Sequence, residues 1–393
     1  MKILHTADWH VGRVLHGIDR TPEIRAVLKE VLEIARQQEV DLILVAGDVF
    51  DGKNPSALAE DTVFGFFQAT AEAGIPSVVI AGNHDSPNRL DAFSGLLQLA
   101  RVHVVGNPRV AGQGGLIRLS ISGQPVCIAA LPFVSERRLV RVTQLLEGDA
   151  GTHRETYQQS MRKLIANLSH AFAPDTVNLL MLHATMEGAT LANSEYVFHT
   201  TADYTLSHDV LPEDADYVAL GHIHNAQVVE GMPGRSAQYS GSLVQLDFGE
   251  QETRKVVYVL EVRPGRPTEV VAEVPLRTGQ QLRRVVIRED ELERRGSQLV
   301  DYAGLLKLVV EMDVPRPGLK DRIKASLPQV VSVEFRLPKV ESDVVSGVDL
   351  KAMSALEAYA RYYLDKRGTA LPDRLREAFK DLYQSDLESG VVP

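Results

Sequence analysis

Short apolar runs that end in polar clusters constrain this chain more than any other feature of its sequence. Residues 75–80 form an apolar, β-branched run that predicts a buried strand, and Gly82-Asn83-His84-Asp85 follows at once. Asn, His and Asp are poor residues for a strand interior, so packing alone does not explain them. Four more clusters follow the same plan, namely Asp8-x-His10, Gly47-Asp48, His183 and Gly221-His222-x-His224.

Taken singly, each cluster has a plain structural explanation. Gly and Asn suit the positive φ of turns, Asp caps helices, and a lone His at a strand end is usually a structural residue. Five clusters are a different matter, because each begins where a β-like run ends and supplies only carboxylate, imidazole or amide groups. We therefore predict that they form one site.

Helical patterns alternate with the apolar runs in the first hundred residues. They fall near residues 22–37 and 57–73, between strands predicted at 2–7, 40–46 and 75–80. This rhythm is typical of an α/β layered structure, in which ligands collect at the carboxyl edge of the strands. Further strands are predicted at 102–105, 126–131, 177–182, 217–220, 237–246 and 255–262, with a polar helix over about 152–171. We expect this first domain to occupy residues 1–270.

The character of the chain changes after residues 264–267, which read Pro-Gly-Arg-Pro. Residues 277–341 predict a βαβαβ unit, which we expect to be a small separate α+β domain. Residues 345–393 predict a tail of two amphipathic helices. Their apolar stripes are Met353, Leu356, Ala360 and Tyr363 in the first, and Leu375, Phe379 and Leu382 in the second.

Composition excludes several classes of protein. The net charge of −10 does not fit a free-standing nucleic-acid binder, so a DNA role needs a local surface, metal ions or a partner. The N-terminus lacks the apolar region of a signal peptide, and no apolar run approaches the ~18 residues of a membrane span. Cys127 is the single cysteine and lies in an apolar run, which predicts a buried thiol. We expect a soluble cytoplasmic protein with no membrane contact.

The ligand types predict the chemistry of the site. Carboxylate, imidazole and amide groups without any thiolate favour Mn²⁺, Fe or Zn²⁺, with Mg²⁺ as an alternative, over a structural zinc site. Seven candidate ligands are too many for one ion and suit two ions bridged by a carboxylate. Such a pair is the usual clamp for displacement at phosphorus. His84 is surplus to the ligands and is the candidate general acid.

The order and identity of these motifs resemble the calcineurin-like metallophosphoesterases, and among them the nuclease subunits of bacterial double-strand-break repair complexes. The longest matching phrases are His5-Thr6-Ala7-Asp8-Trp9-His10 and the nine residues 82–90. The resemblance implies a two-sheet sandwich flanked by helices. It also implies that Asp8, His10, Asp48 and His224 hold one Mn²⁺, and that Asp48, Asn83, His183 and His222 hold the other. Asp48 would bridge the two ions, and His84 matches the catalytic histidine of the family.

One position departs from part of the family. Archaeal members carry a second histidine three residues after the bridging Asp, and here that position is Asp51. Asp51 is either an orienting group for a histidine or a plain turn carboxylate. The other histidines, which have no accompanying partner residue in the sequence, are expected to be structural or on the surface. They are His5, His16, His103, His153, His170, His199 and His208.

The resemblance also implies a function and partners. The activity would be a DNA nuclease, with exonuclease action on double-stranded ends and endonuclease action on hairpins or single strands. Residues 277–341 would be a capping domain that orients DNA, and the tail would dock on the coiled coil of an ATPase partner, within a heterotetramer built on a homodimer. One alternative is a small-molecule or cyclic-nucleotide phosphodiesterase, but it gives no function to the residues after Pro267. Another is a non-catalytic scaffold, but a chain without catalysis should have lost some of the ligands. The capping region could also be an accessory domain, and the tail could pack on the chain's own body.

Overall fold

The computed structural model describes residues 1–135, 139, 157–192, 194–195, 205–230, 236–314, 316–337, 356, 359–360, 363–364 and 370–379. The chain divides into two compact units, residues 1–337 and residues 338–393.

The first unit contains helices and strands that alternate at first and then become mainly strands. In its first part these are β1 (Lys2–Thr6), β2 (Val14–Leu15), β3 (Ile18–Asp19), α1 (Thr21–Gln37), β4 (Leu42–Ala46), α2 (Ala57–Glu72), β5 (Ser77–Ile80), α3 (Pro87–Leu99) and β6 (Val102–Val105). There follow β7 (Leu116–Ile121), β8 (Gln124–Leu131), α4 (Tyr157–Ser169), β9 (Val177–His183), β10 (Tyr217–Gly221), β11 (Gln227–Val228) and β12 (Ala237–Tyr239). The last are β13 (Val256–Glu261), β14 (Glu269–Pro275), β15 (Leu282–Arg288), α5 (Leu292–Ser297), β16 (Leu305–Glu311), α6 (Leu319–Ser326) and β17 (Val330–Arg336).

Two six-stranded sheets pack face to face. The first has the order β14-β13-β1-β4-β5-β6 and the second the order β11-β12-β10-β9-β8-β7. The inner strands of each sheet are parallel, so their carboxyl ends lie at a common edge. Ile3, Leu44 and Ile80 of the first sheet meet Ile128 and Met181 of the second in one buried cluster. This cluster is the centre of the sandwich.

Helices cover the outer face of each sheet. Val27 and Val31 of α1 and Phe67 of α2 pack on Ile43 and Val79 of the first sheet. On the second sheet, α4 packs its apolar face, which includes Leu164 and Leu168, against β8, β9 and β10. Sheets buried on both faces require nearly continuous apolar strands, which is the pattern that the sequence shows. The α/β sandwich flanked by helices is thus confirmed.

Local sequence explains where the outer helices begin. Pro22 stands in the first turn of α1, where its missing N–H has no consequence because that donor has no partner within a helix. Ser56 precedes α2, and its side chain accepts a hydrogen bond from Ala59 N. Such a cap satisfies one of the unpaired donors at a helix start.

One predicted strand is shorter in the structure, and two strands were not predicted. The strand predicted at 237–246 ends at Tyr239, because Gly241 turns the chain with a φ of 72°. The strands β7 and β14 had no clear signal, since exposed polar residues interrupt their apolar positions. β7 joins β8 through Ser122 and Gly123, both at positive φ, which is the geometry of a tight two-residue hairpin. The predicted helix at 152–171 is described only as α4, because residues 152–156 lie outside the described residues.

A third sheet carries the predicted βαβαβ unit. Its order is β15-β16-β17, all parallel, with α5 and α6 as the crossovers. It has a core of its own that includes Ile287, Leu308 and Ile323. The compact unit of residues 1–337 includes this sheet, and the boundaries expected for a separate capping domain stay a prediction.

The third sheet contacts the sandwich mainly around residues 245–251. Phe248 and Leu15 pack with Leu282 of β15 in a small apolar cluster. The backbone N of Leu282 donates to Gln245 Oε1 at 2.7 Å, and that of Arg284 donates to Gln251 Oε1 at 2.8 Å. Residues 245–251 are therefore the main anchor for β15.

The second unit is described only in part. Residues 373–379 are helical, as are 356, 359–360 and 363–364. The ring of Tyr359 stacks on that of Phe379, with centroids 4.6 Å apart and planes 10° apart, so the two predicted tail helices contact each other. Met353 and Leu382 of the predicted stripes lie outside the described residues.

Among the helices that the structure describes, none is both long enough and apolar enough to cross a membrane.

Candidate metal centre

The turns that follow the parallel strands meet at one edge of the sandwich. Within the first sheet, main-chain hydrogen bonds of 3.0 Å join Asp8 N to Gly47 O and His10 N to Asp48 O. Across the sandwich, the backbone N of His222 donates to both carboxylate oxygens of Asp8, at 3.0 and 3.1 Å. The turns after β1, β4 and β10 are thereby bound into one structure.

All seven predicted ligands lie in this place. Their ligand atoms form two groups whose members lie within 4.8 Å of one another: Asp8, His10, Asp48 and His224 in the first, and Asp48, His183 and His222 in the second. Asn83 joins the second group, because its Oδ1 is 3.1 Å from His183 Nε2 and 2.8 Å from His222 Nδ1. Asp48 is the member that both groups share. Its Oδ2 lies 3.6 Å from His10 Nε2 and 3.5 Å from His183 Nε2.

The geometry of the ring nitrogens fits divalent cations. His10 Nε2 and His224 Nε2 face each other at 3.2 Å, and both rings are buried. Two neutral imidazole nitrogens in this arrangement share one proton at best, whereas a cation beside them accepts both lone pairs. His183 directs Nδ1 to Ala46 O at 2.8 Å, so its Nε2 is left facing the site. An outer hydrogen bond that fixes the ring in this way is usual for metal-binding histidines.

Strained backbone is concentrated at these residues. Asp8, His10, Asp48 and His222 have φ values of 51°, 48°, 49° and 100°. A positive φ is uncommon for residues other than Gly, and at functional sites it persists because the surrounding structure enforces it. The main-chain and carboxylate hydrogen bonds described above supply that enforcement. The strain directs the side chains of neighbouring turns toward one point.

Two glycines in the clusters are explained by close approach. A Cβ on Gly82 would lie 2.1 Å from Asp48 Oδ1, and one on Gly47 would lie 2.2 Å from His183 Nδ1. Both distances are far shorter than van der Waals contact, so any side chain would displace a predicted ligand. Gly47 and Gly82 are thus part of the site.

Electrostatics separates the two carboxylates. Burial opposes the ionisation of Asp48, but the imidazoles of His183 and His10 outweigh it and hold the pKa of Asp48 well below its usual range. Burial raises the pKa of Asp8 to about 7, against the opposing effect of His183 and His224. Asp48 is therefore the carboxylate of the centre that stays ionised at neutral pH.

The histidines differ in a related way. Burial lowers the pKa of His10 to about 4, so its imidazole is neutral at neutral pH. Burial would also lower the pKa of His183, but Asp48 and Asp8 outweigh it and raise the value to about 9. A divalent cation can take the place of the proton on His183, because both compensate the same carboxylates.

His84 lies at the edge of this cluster and is only half-buried. Its backbone N donates to Asp48 Oδ1 at 2.8 Å, and its ring Nδ1 contacts the backbone oxygen of Asp51 at 3.0 Å. The ring centroid is 4.7 Å from that of His10. His84 is thus beside the ligands and open to solvent on one side.

Asp51 contacts a predicted ligand directly. Its Oδ1 is 3.1 Å from His10 Nδ1 and 3.3 Å from the guanidinium of Arg13. Burial raises the pKa of Asp51, but His10 and Arg13 outweigh it and lower the value. This is the position of an orienting group for a histidine. The role of Asp51, like the roles of the seven ligands and of His84, stays a prediction.

Sequence reasoning did not assign a role to Asp85. The carboxylate is buried and accepts three backbone hydrogen bonds, from Gly82 N at 2.8 Å, Phe50 N at 2.9 Å and Val49 N at 3.1 Å. It ties the turn after β5 to the turn after β4. Its place in the Gly82-Asn83-His84-Asp85 cluster was the available signal, and a helix cap was the competing explanation.

Phe133 was missed altogether. It follows β8, and its ring lies 6.3 Å from that of His183, edge-on, and 6.4 Å from that of His222, stacked. The ring of Phe133 thus packs as an apolar surface against two predicted ligands. No pattern in the sequence marks it, because the run at 126–131 ends in Pro132 and Phe133, not in a polar cluster.

The remaining histidines stand apart from these groups. Among the residues that the structure describes, the metal-ligand groups include neither His5 nor His16, His103, His170 or His208. His153 and His199 lie outside the described residues. His5 is buried between the two sheets and contacts Tyr217 Oη through Nδ1 at 2.9 Å.

The family follows from a comparison with known proteins. A family model described as calcineurin-like phosphoesterase matches residues 1–226, which is more than half of the chain. The chain therefore belongs to the calcineurin-like phosphoesterase family, and it is a phosphodiester hydrolase.

Its relatives are named more narrowly, as the D subunit of the nuclease SbcCD. The chain is 36% identical to that protein of Bacillus subtilis, over 266 residues that are 67% of each chain. The protein of the same name from Rhodobacter capsulatus is 35% identical over 64% of each chain. That of Escherichia coli K12 is 31% identical over 68% of this chain and 66% of its own. These matches confirm the resemblance, and they span about two thirds of each relative's length.

Proposed function

We propose that the chain is the nuclease subunit of an SbcCD-type complex and that it hydrolyses DNA phosphodiesters with two divalent metal ions. The observation that carries the two-ion proposal is the position of Asp48, the carboxylate that both ligand groups share. The proposal of a nuclease rests on the relatives, which are named as nuclease subunits. A bridging carboxylate between two groups of ligands is the arrangement of two-metal phosphoesterases.

The ligand assignment keeps the predicted sets. Asp8, His10, Asp48 and His224 would hold one ion, and Asp48, Asn83, His183 and His222 the other. Imidazoles, carboxylates and an amide without thiolate favour Mn²⁺, with Mg²⁺, Fe and Zn²⁺ as alternatives. When bound, the ions neutralise the charge that develops on the phosphoryl oxygens and lower the pKa of water.

His84 is assigned the role of general acid. Because the backbone oxygen of Asp51 can only accept, His84 carries a proton on Nδ1, which donates to it. Nε2 is then the nitrogen that can hold a second proton and deliver it to the leaving oxygen of the phosphodiester. The half-buried position of the ring leaves that nitrogen access to a substrate.

We propose two activities on DNA, exonuclease action on double-stranded ends and endonuclease action on hairpins or single strands. The sheet of β15, β16 and β17 would orient the DNA as a capping domain. A nuclease acts where DNA is, and we accordingly propose a cytoplasmic location.

The test compares DNA with a small phosphodiester. The full chain, first freed of metal with a chelator and then given Mn²⁺, is incubated with blunt duplex DNA, a hairpin, circular single-stranded DNA and bis(p-nitrophenyl) phosphate. We expect Mn²⁺-dependent cleavage of the DNA substrates. Efficient hydrolysis of the small diester with no cleavage of any DNA would identify a small-molecule phosphodiesterase. Failure to bind metal would leave the scaffold function.

The proposed partner is an SbcC-like ATPase with a coiled coil, in a heterotetramer built on a homodimer of this chain. Support comes from the relatives, each of which is named as one component of the SbcCD nuclease. The tail is the proposed docking segment, since short helices need a surface to pack on. Its two helices already meet through Tyr359 and Phe379.

Truncation of the tail tests this partner. Removing the residues after Lys339 should leave Mn²⁺-dependent endonuclease activity nearly intact, while co-purification with the ATPase and ATP-dependent exonuclease activity are lost. Leu356→Asp with Phe379→Asp should do the same, because each change places a charge in an apolar contact. A truncated chain that is insoluble, or that binds the ATPase but no longer cleaves, would show that the tail belongs to the chain's own core.

A further inference from the structure

A cluster of buried charged residues lies behind His224, on the side away from the other predicted ligands. Glu250 is fully buried, and Glu195 and Lys255 are each 8% exposed. Glu250 accepts from Lys255 Nζ at 2.5 Å, while Ser242 Oγ is 2.8 Å from the same nitrogen. Charged side chains are rarely buried to this degree unless they are paired and hydrogen-bonded. The two predicted ligand sets do not include any of these residues.

This cluster holds His224 at three separate atoms. The backbone N of His224 donates to Glu195 Oε1 at 3.0 Å, and its backbone O accepts from Lys255 Nζ at 3.0 Å. Its ring Nδ1 lies 2.6 Å from Ser194 Oγ. Ser194 Oγ in turn donates to Glu250 Oε1, which lies 3.4 Å from His224 Nδ1.

The direction of these hydrogen bonds follows from the carboxylate. An ionised carboxylate only accepts, so the Ser194 hydroxyl gives its proton to Glu250. The hydroxyl oxygen is then an acceptor toward His224, which requires a proton on Nδ1 of the neutral ring. The lone pair of that ring is consequently on Nε2, the atom that faces His10 Nε2 at 3.2 Å. The relay from Glu250 through Ser194 therefore selects the tautomer that can ligate a metal.

We infer that Ser194 and Glu250 are positioning residues of the metal centre, which fix the orientation and the tautomer of His224. This inference rests on the proposed role of His224 as a metal ligand. Lys255 and Glu195 have a complementary task, since they hold the main chain of the same residue. The relay is the outer hydrogen bond through which a metal-ligating histidine gains its orientation, and loss of such a partner typically weakens metal binding by about 10- to 100-fold.

A purely structural explanation exists and makes a different prediction. Glu250 could be present only to neutralise Lys255, because a buried ammonium without a partner is strongly destabilising. In that case the metal site would be indifferent to Ser194, which contacts Glu250 but not Lys255 in the hydrogen bonds described. The two explanations separate when the relay is broken and the ion pair is kept.

The principal test is therefore Ser194→Ala, with Ser242→Ala as a matched control. Both changes remove one hydroxyl that contacts Glu250, but only Ser194 contacts the ring of His224. Mn²⁺ binding to the metal-free full chain is followed by electron paramagnetic resonance. We expect Ser194→Ala to raise the dissociation constant of one of two ions by about tenfold or more, and Ser242→Ala to leave both nearly unchanged.

A second variant removes both charges. Glu250→Leu with Lys255→Met leaves neither an unpaired charge nor a relay. We expect it to keep the weakened metal binding. Recovery of the parental affinity in this double variant would overturn the inference in favour of the structural explanation, as would parental affinity in Ser194→Ala.

A readout without metal keeps the inference separate from the proposed function. Nitrogen NMR of the histidine rings in the metal-free chain, recorded at a pH high enough for the ring of His224 to be neutral, should show His224 as a single tautomer with the proton on Nδ1, and Ser194→Ala should turn it into a mixture. If the parental chain bound no Mn²⁺, the proposed function would fail while this spectrum still tested the relay. An unchanged tautomer in Ser194→Ala would overturn the relay whatever the metal affinity. The spectrum also covers the case in which the double variant does not fold.

Discussion

The two sheets contribute unlike halves to the candidate metal centre. The first sheet supplies every oxygen donor, through Asp8, Asp48 and Asn83, together with one imidazole, His10. The second supplies imidazoles alone, through His183, His222 and His224. The half that carries the carboxylates and the half that consists of imidazoles alone therefore belong to different layers of the sandwich.

The halves also differ in what holds them. The turns of the first sheet are joined by their own main chains, and the buried carboxylate of Asp85 binds three of their backbone N–H groups. The histidines of the second sheet are held from outside, since His183 relies on Ala46 O and His224 on Ser194 and Glu195. The first half is therefore preorganised by neighbouring turns, whereas the second is assembled by residues distant in sequence.

Asp48→Ala should have the largest effect, because it removes the residue that joins the halves. Both ions lose a ligand at once, so we expect neither stoichiometric Mn²⁺ binding nor detectable phosphodiester cleavage. Metal analysis and a cleavage assay measure this. Asp61→Ala on α2, where the carboxylate is exposed, is the matched control and should behave as the parental chain. An Asp48→Ala protein that kept two ions and full activity would refute the bridging assignment.

His84→Gln should separate catalysis from metal binding, because it alters a residue of the first half that is not assigned to either ion. Removing one general acid slows a reaction by ~10²–10⁴-fold, and we expect that loss in the cleavage rate with DNA binding retained. Mn²⁺ stoichiometry should stay at the parental value. If stoichiometry fell in parallel with the rate, His84 would be a ligand and the division of roles would be wrong.

Asp85→Asn tests whether the first half is held by its own turns. The amide offers one acceptor where the carboxylate offered two, and its NH₂ meets backbone donors, so about 1–3 kcal/mol of stability should be lost. Urea unfolding of the metal-free chain measures the loss. Asp91→Asn is the control, because Asp91 likewise accepts from Gly106 N and Asn107 N but lies away from the centre. Both variants should be destabilised, and only Asp85→Asn should also bind Mn²⁺ more weakly. Equal metal affinities would show that the turns hold their shape without Asp85.

The smallest effect at neutral pH concerns the contact between the sheets, where His5 of β1 meets Tyr217 of β10. Burial lowers the pKa of His5 to about 3 in the folded state, from an ordinary value of 6.5. The unfolded chain thus binds the proton more readily, and stability is full above pH 6.5 and falls as the pH drops from 6.5 toward 3. The slope from one such group is at most ~1.4 kcal/mol per pH unit. His5→Gln should flatten the dependence of the free energy of unfolding on pH by that amount. An unchanged slope would mean that His5 is protonated between the sheets.

The sequence located the candidate ligands of both halves better than the residues that support them. Each ligand cluster follows an apolar run. Such a run can be recognised from consecutive residues of the sequence, as at β4 and β5. The supports of His224 have no local signal, because Glu250 lies well beyond it along the chain, at the end of a short 3₁₀ helix (Phe248–Glu250) after β12. β7 and β14 were missed for a related reason, since edge strands expose half of their residues. Positive φ at Asp8, His10 and Asp48 follows from contacts between turns, which no pattern along the chain encodes.

The spread of the ligands along the chain has a consequence for the order in which the molecule matures. The candidate ligands run from Asp8 to His224 and come from both sheets, so a complete site needs most of the length of the sandwich. If these residues bind ions as proposed, a chain emerging from the ribosome could not use the ions to nucleate folding, because the ligands come together only in the docked sandwich. Ion binding would then raise the barrier to unfolding more than it would speed folding. At a free ion concentration about 100 times the dissociation constant, binding of one ion would raise the free energy of unfolding by about 2.7 kcal/mol. The ions would thus bind last, after the sandwich has folded, and their loss would be the first step toward unfolding.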